Sequence, residues 1–148
     1  MIIATIIILF LFMVTLYSDI KYRIISNYIV LFIYFISMYI GLNNGAFEDV
    51  FLSVVICTAI GLSLYSMGIC GGGDVKLLIA LSPLFHYGQL TDLFFGILIC
   101  GGLLSTFYWT KYRVLLKSSN DHGLPYGVAI IFGANLSLYL SQGLAIYS

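Results

Sequence analysis

The stretch MIIATIIILFLFMVTLYS, residues 1–18, decides the fold. It contains no charge, no glycine and no proline. At about 1.5 Å per residue it crosses most of the roughly 30 Å hydrocarbon core of a bilayer. It lacks a basic flank and a small-residue cleavage site, so it reads as a retained transmembrane helix and not as a signal peptide. Outward from it, further apolar runs follow at about 27–42, 50–67 and 74–87, then from Thr91-Asp92 to about Thr110 and from Pro125 to about Tyr147. Thr91-Asp92 is expected to cap its helix, and Pro125 suits a first turn, where no N–H is needed. The fourth run is short and starts in a glycine loop, so it is not expected to begin flush with the membrane interface. The pattern predicts an all-α polytopic membrane protein: a bundle of about six transmembrane helices forming a single domain over 1–148.

Composition excludes the competing classes. Of 148 residues 61% are hydrophobic and 8% charged, with six basic and six acidic side chains. A soluble domain carries about 25% charged residues to wet its surface. Disorder needs low hydrophobicity and high net charge. Zero net charge with no basic tract leaves no footprint for nucleic acid. The three cysteines, Cys57, Cys70 and Cys100, form no C-x-x-C pair and read as small packing residues, without a disulfide framework or a metal site.

Charge sets the orientation. With six spans, the loops after the first, third and fifth share one side of the membrane. Lys21, Arg23, Lys76, Lys111, Arg113 and Lys117 all fall there, while Glu48, Asp49 and Asp92 fall on the other. Short loops rich in Lys and Arg stay cytoplasmic, so both termini are expected outside.

An ionisable group at membrane depth marks function by default. Glu48 and Asp49 read as solvated in an outer loop, Asp92 as a cap and Asp121 as a loop residue. His86 and His122 lie at opposite faces, and Gly96, Gly101, Gly102 and Ser105 read as helix-packing positions. Asp19 and Asp74 remain. Asp19 closes the first span and has a bland reading as a surface partner of Arg23, four residues on. Asp74 follows Gly71-Gly72-Gly73 and could simply cap a helix. A glycine triplet permits close backbone approach, for instance by an extended peptide. The two acids lie on different helices at one membrane face. Two carboxylates held close share one proton. The ionised member can then draw a proton from water while the protonated one polarises a carbonyl.

These residues carry a resemblance. Gly71-Gly72-Gly73-Asp74 fits the G-x-G-D motif of intramembrane aspartic proteases, and its continuation Val75-Lys76-Leu77-Leu78 resembles the type IV prepilin peptidases. Asp19-Ile20-Lys21-Tyr22-Arg23-Ile24-Ile25-Ser26-Asn27 is similar to their first motif, with Ser26 standing where the family has proline. Pro125-Tyr126-Gly127 resembles the segment that opens their last helix.

The resemblance implies an endopeptidase that removes the cytoplasmic leader of a prepilin, pseudopilin or preflagellin precursor, with Asp19 and Asp74 as the catalytic pair. Gly71, Gly72, Gly73, Lys76, Asn27, Pro125, Tyr126 and Gly127 would shape the site or meet substrate. No metal or other cofactor is implied. The expected partners are the precursor protein and membrane lipid, and the location is the cytoplasmic (inner) membrane with the site facing the cytoplasm. Lys76 alone reads as a positive-inside anchor. Longer relatives carry a cysteine zinc segment and methylate the new N-terminus. The first span here starts at Met1, so the short, peptidase-only form is expected. Two rivals stand beside this reading. One is a small proton- or cation-coupled transporter component using the same acids, and the other a non-catalytic pilus-assembly membrane protein.

Overall fold

In lipid every backbone N–H and C=O must find a partner within the chain, and an α-helix supplies one locally. The computed structural model describes residues 2–45, 47–111 and 125–144, and it contains helices and no strand among them. Six α-helices follow in order: α1 (Ile2–Tyr22), α2 (Asn27–Asn44), α3 (Phe47–Ser66), α4 (Gly72–Leu81), α5 (Leu90–Trp109) and α6 (Tyr126–Leu144). Two single 3₁₀ turns, Ser82–Leu84 and Tyr87–Gln89, link α4 to α5. Arg113, Lys117, Asp121 and His122 lie outside the described residues.

Among the described residues four helices are long and apolar enough to cross a membrane: those of α1, α2 and α3, and one running from Tyr87 through α5. Only 22% of each such window is buried inside the protein. Their many exposed apolar side chains, such as Phe10, Met13, Phe35 and Leu98, therefore face lipid and not a core. Some hydroxyls within the spans are satisfied locally, whereas those of the buried Ser37 and Ser137 have no hydrogen-bond partner among the described residues. Thr15 donates to the Leu11 carbonyl at 2.8 Å and Thr58 to that of Val54 at 2.7 Å.

Helix α4 is the opposite case. It has ten residues, and it packs against α2, α3 and α6. Leu77 and Leu81 are completely buried. Ile33, Phe85, Leu93 and Ile131 complete the core around it. The short fourth span is thus a central helix wrapped by its neighbours.

Small residues set two of the closest approaches. A Cβ on Gly41 of α2 would run into the Pro83 carbonyl. A Cβ on Gly96 would lie 2.7 Å from the Gly133 carbonyl oxygen, and one on Gly133 would lie 2.6 Å from the Ile97 nitrogen. Helices α5 and α6 therefore cross backbone to backbone, as expected of Gly96. Gly101 makes room for the Tyr126 ring, whereas Gly102 faces open space.

Three boundaries depart from the sequence reading. Glu48 and Asp49 belong to the first turn of α3 and not to a loop, where negative charge suits the helix N-terminus. Asp92 sits inside the first turn of α5, and Gln89 holds the cap position. Helix α2 runs on to Asn44 because the Asn43 side chain donates to the Tyr39 carbonyl at 2.6 Å and supports the last turn.

Candidate active site

The C-terminal end of α1, the start of α4 and the start of α6 meet at one end of the bundle. Asp19 lies in the last turn of α1 and is only 5% exposed. It is therefore no surface partner of Arg23, although that guanidinium is near enough to act on it electrostatically. Its carboxylate instead faces the first turn of α6. Asp19 Oδ2 accepts the Val128 N–H at 3.2 Å, and the Gly127 N–H points at the same carboxyl. The first N–H groups of a helix have no partner within it, so α6 presents donors where a buried acid can use them.

Gly127 must lack a side chain for this arrangement. A Cβ there would stand 2.7 Å from Asp19 Oδ2 and 3.1 Å from Ile25 Cδ1. Pro125 is buried just ahead of it, and its carbonyl accepts the Val128 N–H at 3.2 Å. That N–H is shared between Pro125 and Asp19.

Asp74 enters from the other side. Helix α3 ends in a turn where Gly68 takes φ 71°, with Gly68 N–H on the Tyr65 carbonyl and Ile69 N–H on that of Leu64. This double bond pattern is the Schellman stop, which calls for glycine. Helix α4 then starts after Gly71, with Asp74 in its first turn. The Asp74 carboxyl turns back to the Gly71 N–H, the return contact of a capping box. The bland capping role therefore exists, but it does not exhaust the residue. The Asp74 carboxyl is close enough to Asp19 to feel its charge, and it borders an apolar cleft.

That cleft has a volume of about 50 Å³ and lies among α3, α4, α5 and α6. Leu64, Val75, Phe94, Ile97 and Tyr126 wall it, with Cys70 beside the acid. Such a space holds a few waters or one small side chain. Burial, and then the Asp74 charge, push the Cys70 thiol up from its ordinary pKa, so it rests as the neutral thiol.

The candidate residues divide into two groups. Asp19, Asp74, Gly71, Gly73, Pro125, Tyr126 and Gly127 lie around the two carboxyls or the cleft. Gly72 faces the Tyr65 ring, 3.6 Å from where its Cβ would be. Lys76 is exposed and donates to Asn27 Oδ1 at 3.0 Å, which ties α4 to the first residue of α2. Among the described residues His, Cys, Asp and Glu nowhere gather in threes that could hold a metal. Sequence reasoning missed the donor role of Val128 and the presence of Cys70. The signal for Cys70 was its place four residues before Asp74 in a glycine loop. Val128 acts through its backbone, which its side chain does not advertise.

Ser26 occupies the position where the related motif has proline. It precedes α2 with φ −66° and ψ 129°. A pyrrolidine ring imposes about −65°, so the turn keeps the proline geometry without the ring.

Comparison with curated proteins and with solved structures gave no match. A protein-family model, the type IV leader peptidase family, matches residues 5–108. The match takes in both Asp19 and Asp74 with their glycine turn, and it spans well over half of the chain. This multi-pass membrane protein thus belongs to the type IV leader peptidase family.

Proposed function

We propose that the protein is an aspartic endopeptidase that uses Asp19 and Asp74 to remove the leader of a prepilin-like precursor. One observation carries the reading. Two carboxyls from α1 and α4, distant in sequence, come within electrostatic reach of each other beside a small cleft. Two acids brought into contact share a proton, and in the proposed mechanism these two do so around the attacking water. One member accepts a proton from the attacking water, and the other donates to the carbonyl oxygen of the scissile bond. As the tetrahedral intermediate collapses, the proton gained from water passes to the departing amine. The N–H groups of Gly127 and Val128 fix the Asp19 carboxyl in place for this exchange.

The substrate side is supported by chemistry and by topology. The site lies at the end that carries Lys21, Arg23 and Lys76, and Glu48 and Asp49 mark the other end. By the positive-inside rule the site faces the cytoplasm of the cell membrane, where the leader of an uncleaved prepilin or pseudopilin would remain. The proposal covers hydrolysis alone. The mass of the processed N-terminus, measured with a methyl donor present, tests whether methylation accompanies it.

Purified protein in lipid, incubated with a prepilin, should release the leader as a smaller fragment on a gel. Asp19→Asn and Asp74→Asn should each abolish release while inserting at normal levels, because an amide cannot share the proton. Full cleavage by either variant would overturn the mechanism. It would leave the non-catalytic and transporter readings to be examined.

A further inference from the structure

We propose that Ile25 is a positioning residue, a spacer wedged between the start of α4, which carries Asp74, and the start of α6, whose N–H groups hold the Asp19 carboxyl. This rests on the aspartic reading above. The Ile25 side chain is met from both sides of the site. A Cβ on Gly73, the residue before Asp74, would touch Ile25 Cβ, Cδ1 and Cγ1 at 3.5, 3.6 and 3.7 Å. A Cβ on Gly127, beneath the Asp19 carboxyl, would lie 3.1 Å from Ile25 Cδ1. Both glycines thus leave space that Ile25 fills, and the Cδ1 methyl is common to the two contacts.

The loop around Ile25 is held as a spacer would require. Arg23 takes φ 54°, left-handed backbone that is disfavoured for any residue with a side chain. Its N–H closes on the Asp19 carbonyl at 3.1 Å. This is the single-bond helix stop usually given to glycine, and it starts from Asp19 itself. Ser18 Oγ then donates to the Ile24 carbonyl at 2.6 Å. On the far side, α2 begins at Asn27, which Lys76 of α4 holds. Ile25 is therefore pinned from α1 on one flank and from α4 on the other. A β-branched side chain has few χ1 choices, which makes it a stiff wedge. A conformation kept against its local preference is the kind of strain that gathers at functional sites.

The separation of the carboxyls governs how strongly they couple, and coupled acids titrate as a pair. The test uses Ile25→Val, which deletes the Cδ1 methyl and little else, with Ile25→Ala as the larger cut and Ile25→Leu as the rescue. Prepilin cleavage is followed for kcat, KM and the two pH limits of the rate. Ile25→Val should lower kcat by about 3- to 10-fold with KM within about twofold, since sub-ångström misplacement of reacting groups is costly. Both pH limits should move, because they report the pair. Ile25→Ala should go further in the same sense, and Ile25→Leu should recover part of the loss. PH limits that match the wild type in Ile25→Val, whatever its kcat, overturn the spacer role, because mere loss of folded protein lowers the rate without moving them. An inert wild-type protein would overturn the aspartic reading and the spacer with it. An active wild type with an unaltered Ile25→Val profile overturns the spacer alone.

Discussion

Replacing Gly127 by alanine perturbs Asp19 without touching a titratable group. The added methyl would stand 2.7 Å from Asp19 Oδ2, where ordinary contact begins at 3.4 Å, so something must give by 0.7 Å. The α6 backbone is poorly able to yield. It is pressed against α5 at Gly133, where even a Cβ would lie 2.6 Å from the Ile97 nitrogen. Ile25 Cδ1 already stands 3.1 Å from the new methyl. The carboxyl is left to retreat, and its 3.2 Å bond from the Val128 N–H is then stretched past useful length. Misplacement of about 1 Å can cost roughly 100-fold, so a kcat about 10- to 100-fold lower is expected. The assay is prepilin cleavage by purified protein in lipid, with thermal unfolding run alongside to show that the variant is folded. Gly102→Ala is the control, because a Cβ there meets nothing within 4 Å. A folded Gly127→Ala protein with wild-type kcat would show that the Asp19 carboxyl needs no such packing.

Two further outcomes are expected. Ser26→Pro should be tolerated and should stabilise by about 0.4–1 kcal/mol, because the ring matches a φ already adopted and restricts the unfolded chain. Loss of stability in thermal unfolding would contradict that geometry. With Cys57 and Cys100 replaced by alanine, Cys70 should react slowly with maleimide near neutral pH and faster as pH rises, since its thiol is held neutral by burial and by Asp74. Asp74→Asn should speed the labelling, and an unchanged rate would mean that the acid does not act on this thiol.

The helical membrane architecture was legible because charge-free runs such as 1–18 have no other stable solvent. The two acids were legible because charge is rare here, so each carboxyl demanded a reason. Other features could not be read. The partner of Asp19 is a backbone N–H on α6, a contact 109 residues away that depends on packing and on no side-chain chemistry. It also lies beyond residues 5–108, the stretch that the family model matches. Arg23 in left-handed backbone defies local preference, so no propensity argument finds it. The start of α5 was misplaced because Thr91-Asp92 looks like a cap, while a 3₁₀ turn upstream already opens the helix at Leu90.

The shortness of α4 has a consequence for how the protein is made. Ten residues reach about 15 Å, half the thickness of the hydrocarbon. Standing alone in lipid, such a segment would leave its end carbonyls and amides without partners. It becomes stable at depth only when α2, α3 and α6 enclose it, and α6 is the last of these to leave the ribosome. Asp74 therefore arrives in the membrane on a segment that cannot settle until α6 has followed it, and the same late helix brings the donors for Asp19. The two carboxyls are brought to one end of the bundle in one closing step, so a chain caught before it holds both residues without their arrangement.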